Sequence, residues 1–283
     1  MRIYQFLHNA FLFAASRMQA AGLEGRKEEQ RLWIQVNAYR DFIMATGQVY
    51  LFEDYLAGVA PTSRPHVSTA LGARPDTTSQ RVMALLLKAF DETPEPEQKQ
   101  SVSLLIHQVN FIADTGQLEA CEDYIHNRLD YAPLAIAHFT TREEAEAWLM
   151  GPAEPPSPAD ILIGDEYYTA VYSREDNVRF MSRDYVIEPY IEELAAEGIP
   201  PTAPAFETRA EAEECLKSHP ASPFDFVSIA GEHYLAVHHK RLNRHTLHPV
   251  ASTLTQWEEQ KRVVEREEAR YAAMNTEGED EES

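Results

Sequence analysis

Apolar side chains in the first 130 residues recur every three to four positions. Three such stripes run through residues 3–18, 32–43 and 102–112. This spacing places the apolar side chains on one face of a helix, which can then pack into a core. We therefore predict that residues 1–130 form an all-helical domain.

One motif occurs twice within this helical region. Residues 42–55 read FIMATGQVYLFEDY, and residues 111–124 read FIADTGQLEACEDY. In each copy a helical stripe ends at a glycine, Gly47 or Gly116, and glycine readily adopts the left-handed conformation that terminates helices. The sequence therefore predicts a helix-turn-helix unit that is used twice.

The repeated acidic pairs, Glu53–Asp54 and Glu122–Asp123, raise the question of catalysis. Adjacent residues on a helix point about 100° apart, so the two carboxylates of one pair cannot converge on a single atom. A metal site built from both copies would also lack the Glu-x-x-His companions of di-iron bundles. We therefore interpret the repeat as structural.

A second duplication occupies residues 131–250, where helical and strand patterns alternate. AHFTTREEAEAWL at 137–149 matches PAFETRAEAEECL at 204–216, and ILIGDEYYTAVYSREDN at 161–177 matches VSIAGEHYLAVHHKRLN at 227–243. Each copy contains a capping box that starts a helix, followed by two alternating segments on either side of a tight turn. With a leading strand, a third extended stretch and a helix, the pattern predicts tandem βαββα modules.

The remaining chain extends this plan to the C-terminus. A charged segment with a broken apolar seam predicts a helix, and the acidic residues after it predict a disordered tail. The expected fold class is therefore α+β. The predicted segments are the helical domain 1–130, the first βαββα module 131–198, the second βαββ module 199–250, the C-terminal helix 251–274 and the tail 275–283.

Composition restricts the classes of partner. The 283-residue chain carries a formal net charge of −21, which opposes binding to nucleic acid or to an anionic membrane and favours a basic protein partner. No apolar run approaches the ~20 residues that a membrane span requires. The two cysteines, Cys121 and Cys215, form no C-x-x-C pair, which excludes a cysteine zinc site and predicts a reducing, cytoplasmic location.

Histidines and basic residues are concentrated in the second module. Alternate residues of a strand share a face, so His238 and His239 are expected on opposite faces. The first module has mainly tyrosine and serine at the matching positions, so the scaffold does not require these histidines. We predict a partner-binding surface made of His238, His239, Lys240, Arg241, Arg244, His245, Tyr168 and Tyr234.

No motif in the sequence names a reaction. The chain contains no G-x-S-x-G elbow, no P-loop and no G-x-G-x-x-G loop. We therefore expect a non-enzymatic protein without a cofactor that binds a basic protein, as an immunity protein, an inhibitor or an adaptor would. The alternative is a metal-dependent enzyme or metal-binding protein that uses the strip from His233 to His248, with ligands from His233, His238, His239 and His245.

Overall fold

A computed structural model describes residues 2–59, 64–73, 77–129, 132–200, 203–218 and 224–280. The fold is α+β, as predicted, with a helical N-terminal region, two four-stranded sheets and a C-terminal helix. The N-terminal helices are α1 (Arg2–Leu23), α2 (Lys27–Ala45), α3 (Val49–Gly58), α4 (Thr78–Glu92), α5 (Pro96–Asp114) and α6 (Leu118–Asn127).

The predicted duplication of the helical unit is confirmed. Helices α2 and α3 form the first copy, and α5 and α6 form the second. Gly47 and Gly116 end the first helix of each copy with φ values of +67° and +72°. In both turns the glycine N–H bonds the carbonyl three residues back, and the next N–H bonds the carbonyl five residues back. This is the Schellman pattern, which satisfies the last carbonyls of a helix.

The N-terminal helices pack around a shared apolar core. Helix α5 packs against α1, α2 and α4, so it is buried along most of its length. Burial of a large apolar side chain contributes about 1.5–3 kcal/mol, so the stripes seen in the sequence supply much of the stability of this region. The largest fully buried side chains are Trp33, Tyr39, Phe42, Ile43, Phe52, Leu86, Leu105, Ile106 and Ile112.

The two modules have the same order of elements. The third extended stretch predicted in each module is a strand. Each sheet therefore has four strands, and they lie in the order in which they occur in the chain. The first module contains β1 (Ala135–Phe139), α7 (Arg142–Met150), β2 (Ala159–Ile163), β3 (Glu166–Ser173), β4 (Val178–Arg183) and α8 (Ile187–Glu197). The second contains β5 (Ala205–Phe206), α9 (Arg209–Lys217), β6 (Phe224–Ile229), β7 (Glu232–His239) and β8 (Arg244–Pro249), followed by α10 (Val250–Asp280).

Local signals in the sequence start and connect these elements. Both predicted capping boxes are present, with Thr141 and Thr208 each accepting a backbone N–H at 3.3 Å from the glutamate three residues on. In the second sheet β5 pairs with β6 in parallel, and the β6–β7 and β7–β8 pairs are antiparallel. The tight turn at Ala230–Gly231 has φ values of +50° and +85°. Two-residue hairpin turns of type I′ need positive φ at both central residues, and glycine adopts such values readily.

The chain divides into two compact units. The first comprises residues 1–128, 133–161 and 168–182, so it combines the helical region with much of the first module. The second comprises residues 129–132, 162–167 and 183–283.

The C-terminal helix α10 ends at Asp280, beyond the predicted boundary at residue 274. Once a helix has formed, each added residue costs little, so the helix continues into the charged segment. Residues 281–283 of the predicted tail lie outside the described residues. Within the described ranges, no helix is both long enough and apolar enough to cross a membrane.

Candidate functional site

The glutamines of the two T-G-Q turns bind each other. Gln48 Nε2 donates to Gln117 Oε1, and Gln117 Nε2 donates to Gln48 Oε1, both at 2.8 Å. Each amide also donates to the threonine hydroxyl of its own turn, at 2.7 Å in the first copy and 2.8 Å in the second. The partners are 69 residues apart, which is the offset of the repeat. The two copies therefore face each other across an approximate local two-fold axis.

Aromatic contacts follow the same symmetry. The Phe42 and Tyr124 ring centroids are 5.6 Å apart, and those of Phe111 and Tyr55 are 5.5 Å apart. Phe42 and Phe111 occupy the same motif position, and so do the two tyrosines. Each copy thus places the aromatic ring of its first helix against the tyrosine of the other copy. These shared residues hold the copies together, which gives the repeated motif a structural role.

The acidic pair of the first copy binds an arginine. Arg174 follows β3, and its Nη1 and Nη2 atoms contact the two Asp54 carboxylate oxygens at 2.8 and 2.9 Å. Glu53 lies 3.3 Å and Glu154 lies 2.6 Å from the same guanidinium, which sits 4.7 Å from the Tyr50 ring centroid. The hydrogen bonds between Asp54 and Arg174 lower the pKa of Asp54 and raise the pKa of Arg174.

A backbone contact covers the same turn. The Gly47 carbonyl accepts the N–H of Ser157 at 3.0 Å. A Cβ atom at Gly47 would lie 2.5 Å from Pro156 Cβ, so glycine is required for the close approach as well as for the positive φ. Thr46, Gly47 and Tyr50 are buried. The first copy is therefore a docking surface for two segments, the residues around Ser157 and the turn after β3 that carries Arg174.

The acidic pair of the second copy has different partners. Glu122 accepts from the Ser79 hydroxyl at 2.9 Å, and Ser79 in turn accepts from the buried Tyr39 hydroxyl at 2.9 Å. Asp123 Oδ1 accepts from Asn127 Nδ2 at 3.0 Å. The Glu-Asp pair of the motif therefore binds an arginine in the first copy and helix side chains in the second.

The predicted histidine strip lies on β7, on the 3₁₀ turn Lys240–Leu242 and on β8. His238 and His245 are opposite each other in the β7–β8 register, and their rings stack with centroids 4.5 Å apart and planes 16° apart. Both rings are half-buried, and this burial lowers the pKa of each. Burial therefore favours the neutral form of both rings.

Two further histidines are buried on the other face of this sheet. The Nε2 atoms of His239 and His248 each lie 2.9 Å from the hydroxyl of Thr246, which is fully buried. Burial lowers the pKa of His239 to about 3 and the pKa of His248 to about 4. The structure thus places His239 inside the protein, whereas the sequence predicted it on the binding surface. Strand alternation and the bond to Thr246 direct its ring inward.

The cations of the strip also differ in their surroundings. Lys240 and Arg241 are exposed on the 3₁₀ turn. Arg244 instead lies 3.1 Å from the Asp165 carboxylate, which also binds Arg209 at 2.6 Å. The cationic surface offered by this part of the chain is consequently small.

The two predicted tyrosines lie in different compact units. Tyr234 is half-buried on β7, and its hydroxyl donates to Glu232 at 3.2 Å. Tyr168 is half-buried on β3, in the first unit. The eight predicted binding residues therefore do not belong to one unit.

The alternative set of metal ligands is spread along two strands. His233 is exposed and pairs with Ser228 on β6, while His239 points to the face opposite His238 and His245. Catalytic zinc sites use three protein ligands, and only two of the four histidines are neighbours. Across the described ranges, no group of three or more His, Cys, Asp and Glu side chains could hold a metal ion.

Arg174 is a residue of the candidate site that sequence reasoning missed. The alignment of the modules contains a signal for it, because Arg174 matches Lys240, so both modules carry a cation at the same turn. Comparison with known proteins adds no further residue, since no family model, curated protein or solved structure matches this chain.

Proposed function

We propose that this chain is a non-enzymatic acidic protein that binds a basic protein partner, as an immunity protein, an inhibitor or an adaptor does. The observation that carries the proposal is the excess of carboxylates beyond those that pair with its own arginines. Arg174, Arg183 and Arg209 each already contact two or more carboxylates of the chain. The formal net charge is nevertheless −21.

Much of this excess faces solvent on regular elements. Glu143 is exposed on α7, and α10 exposes Glu265, Glu267 and Glu268. Such surfaces attract cations over several ångströms and repel phosphate groups, so the proposed partner is a protein and not nucleic acid or a membrane. Both cysteines are free thiols, which supports a cytoplasmic site of action.

The test begins with affinity capture of partners by the full chain from its native cell. Each captured partner is then purified, and its association and dissociation rate constants are measured from about 0.1 M to about 1 M salt. The Debye length falls from about 10 Å to about 3 Å over this range, so the attraction between exposed charges is largely screened. We expect a basic partner whose association rate constant falls about tenfold or more, with a small change in dissociation.

A basic protein that is not captured, such as lysozyme, serves as the control for unspecific attraction and should form no saturable complex. Capture of only acidic or neutral partners, or association rates that do not respond to salt, would remove the basic-partner proposal. The inhibitor form makes one further prediction, that any activity of the partner is lost on equimolar binding.

A further inference from the structure

The two copies of the helical repeat expose different amounts of the same surface. In the first copy Thr46, Gly47 and Tyr50 are buried. The equivalent residues of the second copy, 69 positions later, are Thr115, Gly116 and Glu119, and all three are exposed. Among the described residues, a Cβ atom at Gly116 would meet no heavy atom within 4 Å, whereas one at Gly47 would collide with Pro156.

The backbone of the second turn nevertheless has the geometry of the first. Gly116 has φ of +72° against +67° at Gly47, and the same pair of backbone hydrogen bonds closes both turns. The reciprocal glutamine contact holds the two turns in equivalent positions. The Gly116 carbonyl is therefore oriented like the Gly47 carbonyl that accepts the N–H of Ser157.

The second surface is the more acidic of the two. Asp114 and Glu119 stand where the first copy has Ala45 and Tyr50, so residues 114–123 contain four carboxylates against two in residues 45–54. In the first copy the guanidinium of Arg174 lies against the side chains of Tyr50 and Asp54. Replacing the tyrosine by a glutamate increases the attraction for a cation.

We propose, resting on the basic partner proposed above, that the surface around Gly116, Glu119 and Asp123 binds a basic turn of that partner. The mode of binding is the one that the first copy already shows within the chain. An extended backbone donates an N–H to the Gly116 carbonyl, as Ser157 does to Gly47. An arginine or lysine of the turn then lies against the carboxylates, as Arg174 lies against Asp54.

A hairpin peptide taken from this chain provides a defined probe. The probe is a synthetic peptide of residues 155–176, which contains both Ser157 and Arg174, carrying Glu175→Lys and Asp176→Asn, and the control peptide also carries Arg174→Ala. The full-length protein is labelled with ¹⁵N at its 11 glycines, and the Gly116 signal is assigned with the variant Gly116→Asn. Gly47 is the matched internal control, because its surface is already covered.

We expect the probe to shift the Gly116 amide signal in a saturable manner and to leave Gly47 unchanged. The variant Glu119→Gln/Asp123→Asn should weaken binding about tenfold, as should the control peptide, because each removes exposed ion pairs. The variant Glu267→Gln/Glu268→Gln removes the same charge from exposed positions on α10 and should bind as the unmodified protein does.

Three results would overturn this assignment. They are a Gly116 signal that does not move, equal affinity in the Glu119→Gln/Asp123→Asn variant, and a Gly116 signal that moves when the protein alone is concentrated. The last result would assign the surface to a second copy of the chain. If other glycine signals move instead, while salt-dependent binding of the captured partner persists, the basic partner stands and only this surface is wrong.

Discussion

The two copies of the T-G-Q repeat share a turn but differ in what covers it. Both end a helix at a left-handed glycine, and both contribute one glutamine to the reciprocal pair. The first copy is covered by Pro156 and Ser157, while the second is exposed at Gly116. The residues that hold the copies together are thus the repeated ones, and residues beside the turn, such as Tyr50 in the first copy and Glu119 in the second, have diverged.

The two sheets also differ at matching positions. The second sheet buries His239 and His248 on one face, and the matching residues of the first sheet are Ser173 and Ser182. The duplicated backbone therefore buries histidines in one copy at positions where the other copy has serines.

The largest expected effect is acid destabilisation of the second sheet. Burial lowers the folded-state pKa of His239 to about 3 and of His248 to about 4, while the unfolded value is about 6.5. The unfolded chain therefore binds protons first as the pH falls, and stability is lost from about pH 6.5 down to these folded values. Each histidine costs about 1.4 kcal/mol per pH unit, or about 4 kcal/mol for both at pH 5.

Urea unfolding of the full chain at pH 7 and pH 5 measures this loss. The double variant His239→Gln/His248→Gln is expected to be less stable at pH 7 but to lose most of the pH dependence. His233→Gln changes an exposed residue of the same strand and should leave the pH dependence intact. A wild-type protein equally stable at both pH values would show that these histidines are not buried in the neutral form.

Alanine at the two turn glycines should separate backbone strain from the docking contact. Gly116→Ala places an alanine in the left-handed conformation without a steric clash, so it should lower the free energy of unfolding by about 1 kcal/mol. Gly47→Ala has the same strain and also collides with Pro156, so we expect a loss of about 2–4 kcal/mol. Both are measured by urea unfolding monitored by circular dichroism. Equal losses would mean that Pro156 moves aside without cost.

The glutamine pair should couple the two copies by about 1 kcal/mol. A double-mutant cycle of Gln48→Ala and Gln117→Ala isolates this energy, because each single variant removes both bonds of the pair. The exposed pair Gln5 and Asn9, joined by one bond at 2.9 Å, is the control and should show coupling near zero. Additive losses at the glutamines would argue against the reciprocal contact in solution.

The smallest effect should distinguish the two acidic pairs. Asp54→Asn weakens the bidentate contact with Arg174 and is expected to cost about 0.5–1 kcal/mol, less at high salt. Asp123→Asn, at the same motif position, keeps an acceptor for Asn127 and should cost about 0.3 kcal/mol or less. The unfolding free energies at low and high salt provide the measurement. A larger loss at Asp123 would reverse the assignment of which copy is covered.

Several features of the site could be predicted from the sequence, and others could not. The glycine at each helix end and the alternation of His238 and His239 follow from short-range rules, and the structure has both. The prediction that His239 is exposed was wrong, because the alternation pattern gives opposite faces without saying which face is buried. Arg174 was missed because its partner Asp54 is 120 residues away in the chain.

The sequence by itself determined the helices, their caps and turns, the strands and the two duplications. These depend on interactions between residues a few positions apart, where backbone geometry leaves few alternatives. Only the tertiary structure decided that Gln48 meets Gln117, that Arg174 binds the first acidic pair and not the second, and that His239 is neutral. Such contacts join residues distant in sequence, and their distances, burial and pKa values depend on how the elements pack.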